Sequence, residues 1–136
     1  MASEQKEFER TVTIAKRDNE KRLVFGIVYE PDTVDAHGDY ATEDEIEKAA
    51  HSFAHNGAQL KLEHEAPANG VAVSESYIVR DHGYKLSEGE SSTNVKKGSW
   101  VIVVKVFDDA IWDAVKKGEI TGFSMGGRAK RMEAAA

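Results

Sequence analysis

Apolar residues in this chain alternate in some stretches and recur with helical spacing in others, and the two periods divide it into a mixed set of elements. Thr11-Val12-Thr13-Ile14 alternates as a half-buried strand does, and Arg22-Leu23-Val24-Phe25-Gly26-Ile27-Val28-Tyr29 is a longer run rich in β-branched and aromatic residues. The polar Asp18-Asn19-Glu20 between them predicts an antiparallel hairpin. Gly26 inside the second strand predicts a bulge or a close backbone approach, and Pro31, which has no amide hydrogen, ends the strand. Thr42-Glu43-Asp44-Glu45 has the form of a capping box. Ile46, Ala49, Ala50, Phe53 and Ala54 then fall on one helix face, and Asn56-Gly57 closes the helix. Short strands are predicted at 59–65 and 71–79, separated by the turn Pro67-Ala68-Asn69-Gly70.

The stretch 81–98 is rich in Gly, Ser, Lys and Glu with no apolar period, which predicts a flexible loop inside the domain. Residues 100–107 are apolar on both faces except at Lys105, as in a strand covered on both sides. Asp108 or Asp109 is placed to cap a short helix carrying Ile111, Ala114 and Val115, with Gly118 as its stop. A last strand is predicted at 119–131. No internal repeat or heptad pattern is present.

A chain of 136 residues suits a single domain over 1–136, able to bury about two-thirds of its unfolded surface. Hydrophobic residues at 40% and charged residues at 31% describe a folded protein. The net charge of −6 gives no general attraction to nucleic acid or an anionic membrane. Without cysteine there are no disulfides, thiolate nucleophiles or cysteine-ligated zinc, and an intracellular compartment is expected. The polar start and the shortness of the longest apolar run, 100–104, predict neither signal peptide nor membrane span. Met1-Ala2-Ser3 and Ala134-Ala135-Ala136 resemble a cloning start and a truncated or engineered tail, so native C-terminal residues are expected to be missing.

Candidate chemistry centres on Glu119-Ile120-Thr121-Gly122-Phe123-Ser124-Met125-Gly126-Gly127. Glycines around Ser124 would let the backbone turn tightly against a bound carbonyl, and amides there, in Gly126-Gly127-Arg128, could hold an oxyanion. A serine needs a base, and Lys61-Leu62-Glu63-His64-Glu65 supplies His64. The pairing predicts a serine hydrolase with Ser124 as nucleophile and His64 as general base, while Phe123 and Met125, on the opposite side of a regular strand, pack. The same residues also fit a bulged strand end in which the serine fills a small space. Gly122-x-Ser124-x-Gly126 matches the nucleophile elbow of α/β-hydrolases literally but not in chain order, because no histidine follows Ser124. A metal site built on Asp35, His37 and Asp39, or on the pair His51 and His55, is outweighed by turn chemistry and by a solvated helix end. No cofactor or metal is called for.

Taken in order, the Gly-containing strand, Asp35-x-x-Gly38-Asp39, the helix ending Phe53-Ala54, the strand ending in His64, the strand with Glu75-Ser76 and Gly118–Gly126 resemble one known series. It is that of the prohead maturation proteases of tailed phages, and within them the XkdF-like phage serine proteases, over about residues 23–128. The resemblance implies an α+β fold like that of herpesvirus assemblins, a small, mostly antiparallel β-barrel flanked by two or more helices. It also implies a protease enclosed in the immature capsid in the host cytoplasm, cutting scaffold and capsid-protein segments. His64 and Ser124 match the family histidine and serine. The family's third member is an acid or a second histidine, which no motif places here; the related phage proteases imply an acid well beyond the serine, where this chain has Glu133, with Glu63, Glu65, His51 and Asp35 as weaker candidates. A homodimer is implied by the assemblin likeness, and neither nucleic acid nor membrane is an expected partner. A non-catalytic capsid-assembly or scaffold module keeping the same fold is the rival reading, and a metal-dependent hydrolase ranks last.

Overall fold

Eight strands and two helices follow one another in the order β1 (Gln5–Asp18), β2 (Leu23–Tyr29), α1 (Glu43–His55), β3 (Leu60–Lys61), β4 (Val71–Ile78), β5 (Tyr84–Glu88), β6 (Ser91–Val95), β7 (Trp100–Val106), α2 (Asp109–Lys116) and β8 (Gly122–Lys130). This computed structural model describes residues 5–34, 38, 40–61 and 70–130, with the backbone alone for 5–10, 61 and 126–130. Six strands form one antiparallel sheet in the order β3-β8-β1-β2-β7-β4, and β5 pairs with β6 in a separate hairpin.

The burial of β7 explains the layering. Trp100, Ile102, Val104 and Val106 face a core shared with Ile46, Ala50 and Phe53 of α1, Trp112 and Val115 of α2, and Val12, Phe123 and Met125 of the sheet. Val101 faces the other way, into a smaller core with Val79 and with Leu86 and Val95 of the hairpin. A strand covered on both sides carries apolar residues at consecutive positions, and β7 does so as its sequence predicts. Trp100 is wholly buried, and its indole Nε1 donates to Ser76 Oγ at 2.9 Å. Its ring lies 5.6 Å from that of Phe53 and 6.4 Å from that of Tyr29, joining α1, β2 and β7.

The helices begin where their capping residues predict. Thr42 Oγ1 accepts from the Glu45 amide, and the Glu45 carboxylate accepts from the Thr42 amide, which completes the capping box. Asp108, rather than Asp109, caps α2 by accepting from the Ile111 amide at 2.9 Å. Ile46, Ala50 and Phe53 are buried on α1, whereas Ala54 at the end of the expected face is exposed.

Two expectations are corrected. The barrel is not closed: β3 and β4 approach at the two ends of the sheet, but among the described residues no ladder joins them. Closure needs continuous pairing around the circumference, and among the described residues β3 contributes only Leu60 and Lys61, so the sheet is a curled half-barrel with two helices. The stretch 81–98 is not a structureless loop, since it contains the β5–β6 hairpin, turned by Gly89 at φ +59° and Glu90. Few of its side chains are apolar because its outer face meets solvent, and Leu86 and Val95 alone anchor it in the smaller core.

A polar clamp completes that anchorage. The Arg17 guanidinium reaches Glu88 through Nε at 2.9 Å and Nη2 at 2.8 Å, and donates from Nη1 to the Lys116 carbonyl at 3.2 Å. The hydroxyls of Tyr77 and Tyr84 share a hydrogen bond between β4 and β5.

The curl depends on two glycines beside β1. A Cβ at Gly26 would lie 2.5 Å from Val12 Cγ1 and 2.9 Å from the Thr13 carbonyl oxygen, and one at Gly122 would lie 2.6 Å from the Val12 carbonyl oxygen. Ala15 is the extra residue of a bulge between Ile14 and Lys16, which adds to the bend. Gly26→Ala and Gly122→Ala are each expected to destabilise the fold by about 1–3 kcal/mol. Urea unfolding measures this, and an unchanged midpoint would contradict such close packing.

The hydrogen bond from Arg17 holds the Glu88 carboxyl below the usual glutamate range, against the opposing effect of burial. A lowered folded-state pKa stabilises the fold above the unfolded-state value, and that stability is lost as the pH falls through the folded one. Glu88→Gln should therefore cost roughly 1 kcal/mol at neutral pH. Thermal melts should show the gap to the parent protein closing below about pH 4.

Candidate active site

Ser124 lies in β8, whose alternation follows from its place between the helical core and the outer face of the sheet. Phe123 and Met125 are buried against the helices, while Ser124 is half-exposed on the opposite face. The register with β1 sets Val12 beside Phe123 and Thr11 beside Ser124, so the outer face carries two hydroxyl residues side by side. On its other edge β8 pairs with β3, with Leu60 opposite Met125 and Lys61 opposite Ser124. The strand that leads toward His64 is therefore hydrogen-bonded to the strand that carries the serine.

His64 itself lies outside the described residues, as do Glu63, Glu65, Asp35, His37, Asp39 and Glu133. His51 is described, and it sits exposed on α1 with Nε2 3.7 Å from Glu47 Oε2. Glu47 is also bound by Arg80 at 2.9 Å, and that hydrogen bond holds its carboxyl below the usual range. His55 is exposed one turn on, its ring 6.4 Å from that of His51. These groups form a surface network on α1.

The glycines after Ser124 do not make a tight turn. β8 runs without interruption through Gly126, Gly127 and Arg128 to Lys130, each paired with β1. The Ile14 amide donates to the Thr121 carbonyl at 2.9 Å, which fixes the alternation of the ladder. Residues at odd positions in β8 thus direct their amides to β1, and those at even positions direct them to the β3 edge. Of the three expected oxyanion donors, Gly127 points its amide at β1. Gly126 and Arg128 point theirs at an edge that, among the described residues, β3 covers only opposite Met125 and Ser124. Unpaired amides on a strand edge can donate to a carbonyl, to an oxyanion or to the backbone of an added peptide strand.

Thr11 and Lys61 are the neighbours that sequence reasoning missed. Cross-strand partners depend on register, and the only available signal was the alternation of 11–14, which places Thr11 on the polar face.

The chain belongs to the family described as "Putative phage serine protease XkdF", whose model matches residues 11–133. It is 46% identical over 133 residues to the uncharacterized protein YqbD of Bacillus subtilis (strain 168), covering 97% of this chain and 39% of that protein. It is 40% identical over 130 residues to the phage-like element PBSX protein XkdF of the same strain, covering 94% and 45%. The chain thus spans less than half the length of these curated relatives. No solved structure matches it significantly.

The opposite orientations of neighbouring β8 side chains predict opposite costs of truncation. Met125→Ala should cost about 2–5 kcal/mol, whereas Ser124→Ala should stay within about 0.5 kcal/mol of the parent. Denaturant unfolding of the two variants gives the comparison, and a large loss at Ser124 would show it to be a packing residue.

Proposed function

We propose that this member of the XkdF family is the protease domain of a phage or prophage serine endopeptidase that cuts scaffold and capsid-protein segments during capsid assembly. Ser124 is its nucleophile and His64 its general base. The observation that carries the reading is the pairing of β3 with β8, which sets Lys61 opposite Ser124. Two residues, Leu62 and Glu63, separate Lys61 from His64, a tether of three steps and at most about 11 Å. Together with a half-exposed hydroxyl on a strand paired on both edges and the family match, this supports assigning the two residues to one site.

In the reaction the imidazole of His64 takes the Ser124 proton as the hydroxyl oxygen attacks the peptide carbonyl. Amides of Gly126 and Arg128, on the edge of β8 that no described residue pairs with there, donate to the carbonyl oxygen as negative charge develops on it, with Gly127 held to β1. Loss of one such donor costs roughly a hundredfold in rate. His64 then returns its proton to the leaving amine, and water attacking the acyl-enzyme through the same base restores the serine. Glu133 is assigned the orienting role toward His64. The assemblin-like geometry, a homodimeric state, and action inside the immature capsid in the host cytoplasm, without nucleic acid, membrane or cofactor, belong to this proposal.

One observation favours a second reading. β8 is a regular strand at Ser124, without the strained turn that exposes many nucleophiles, as suits a non-catalytic assembly module in which the serine is structural.

A fluorophosphonate probe separates the two. Labelling should fall on the peptide containing Ser124, and Ser124→Ala and His64→Ala should each lower cleavage of a co-expressed capsid or scaffold polypeptide by more than about a thousandfold. An unlabelled Ser124, with cleavage that is absent from the parent or unchanged in both variants, would overturn the assignment, and its absence from the parent would leave the assembly module standing.

A further inference from the structure

Between the β1 bulge, the hairpin turn and the C-terminal end of α2 lies an open groove of about 690 Å³. Its walls bring together four cationic residues, Lys16, Arg17, Lys116 and Lys117, and one carboxylate, Glu88. This balance opposes that of the chain as a whole, whose net charge is −6. Arg17 and Glu88 neutralise one another and brace the wall. Lys116 stands 3.6 Å from Asp113 in an exposed pair, which holds it only weakly. The Lys16 ammonium lies 5.1 Å from the centre of the Phe25 ring and adds a weaker charge attraction to Arg17's hold on Glu88, but among the described residues neither Lys16 nor Lys117 forms a close ion pair with a carboxylate. A helix C-terminus favours lysines in its last turn, which accounts for Lys116 and Lys117. It does not account for Lys16, which reaches the groove from the sheet on the other wall.

The groove also has a definite position relative to Ser124. Thr13 and Thr121 line it, and Thr13 is the cross-strand partner of Gly122. Ser124 lies two residues further along β8 on the same face, a distance of about 7 Å. An extended peptide whose carbonyl meets Ser124 from this side would lay residues two or more positions from that carbonyl in the groove.

We propose that the groove binds an acidic stretch of the polypeptide on which Ser124 acts, with Lys16 and Lys117 receiving its Asp or Glu side chains. The identity of that polypeptide rests on the protease reading, but the binding does not require catalysis. The test is fluorescence anisotropy at low ionic strength with the Ser124→Ala protein and a fluorescein-labelled peptide of alternating Glu and Ser. Its twin with Gln in place of Glu is measured beside it.

The Glu peptide should bind, and the Gln twin should bind at least about tenfold more weakly. The double variant Lys16→Gln/Lys117→Gln should weaken the Glu peptide by about tenfold. Lys48→Gln/Lys97→Gln, which removes the same charge from the side of α1, should leave it within about twofold. Melting curves establish that each variant is folded. Failure of the Glu peptide to bind, equal binding of the two peptides, or equal loss in both double variants would overturn the proposal. Because no outcome depends on cleavage, a protein that proves catalytically inert would leave the result at the groove intact.

Discussion

Val12 is held between two glycines, and the curvature of the sheet depends on that confinement. Its side chain occupies the space where a Cβ at Gly26 would stand, and its carbonyl occupies the space where one at Gly122 would stand. Neighbouring strands can approach so closely only where the facing residue has no side chain. The consequence runs outward from β1 on both sides. β2 is drawn in through Gly26 and carries β7 and β4 with it, while β8 is drawn in through Gly122 and carries β3. The result is a concave face deep enough for α1 and α2 to share one core with Phe123 and Met125.

Curvature alone would leave the convex face of β2 and β7 exposed, with Phe25, Ile27 and Val101 in water. The β5–β6 hairpin covers them with a minimal apolar contribution, Leu86 and Val95, and relies on polar attachment for the rest. Arg17 is the centre of that attachment because its fork binds Glu88 of the hairpin and the end of α2 at once, while its backbone amide in β1 donates to the same Glu88 carboxylate. Lysine could not replace it, since a single ammonium cannot bind a carboxylate side-on and a carbonyl elsewhere in fixed geometry. The same clamp sets the distance between the hairpin turn and α2, and so the width of the groove between them.

The parts of the fold legible in the sequence are those where one period or one cap dominates. The capping box at Thr42 and Glu45, the stripe Ile46-Ala50-Phe53, the doubly buried run from Trp100 and the close approach at Gly26 all follow from local chemistry and appear where expected. The hairpin was not legible. Its strands are mostly polar, and what makes them strands is the sheet beneath, although Gly89 between Leu86 and Val95 was a usable signal. The open edge between β3 and β4 was not legible either, because closure is a property of register around the whole sheet. At the site, the alternation of Phe123, Ser124 and Met125 was readable, while the neighbours Thr11 and Lys61 come from registers that no single stretch encodes.

The glycines around Ser124 change meaning once the strand is seen. A Gly-x-Ser-x-Gly pattern suggests a backbone that must bend at the serine, yet β8 stays regular, and Gly122 serves the approach to Val12. Reactivity in such a site cannot come from strain at the serine. In the protease reading it comes instead from a base on the chain that follows Lys61 and from amides on the same edge of β8, past Leu60. Both requirements fall on the same edge of β8 but on opposite sides of the β3 pairing: the chain continues toward His64 from Lys61, opposite Ser124, while Gly126 and Arg128 lie past Leu60, opposite Met125, and among the described residues pair with no residue of β3. A substrate strand added along that edge would meet the hydroxyl and the free amides together. The proposed chemistry is thus tied to the two described residues of β3, Leu60 and Lys61, which hold the chain before His64 on β8 and, among the described residues, leave Gly126 and Arg128 unpaired on that edge.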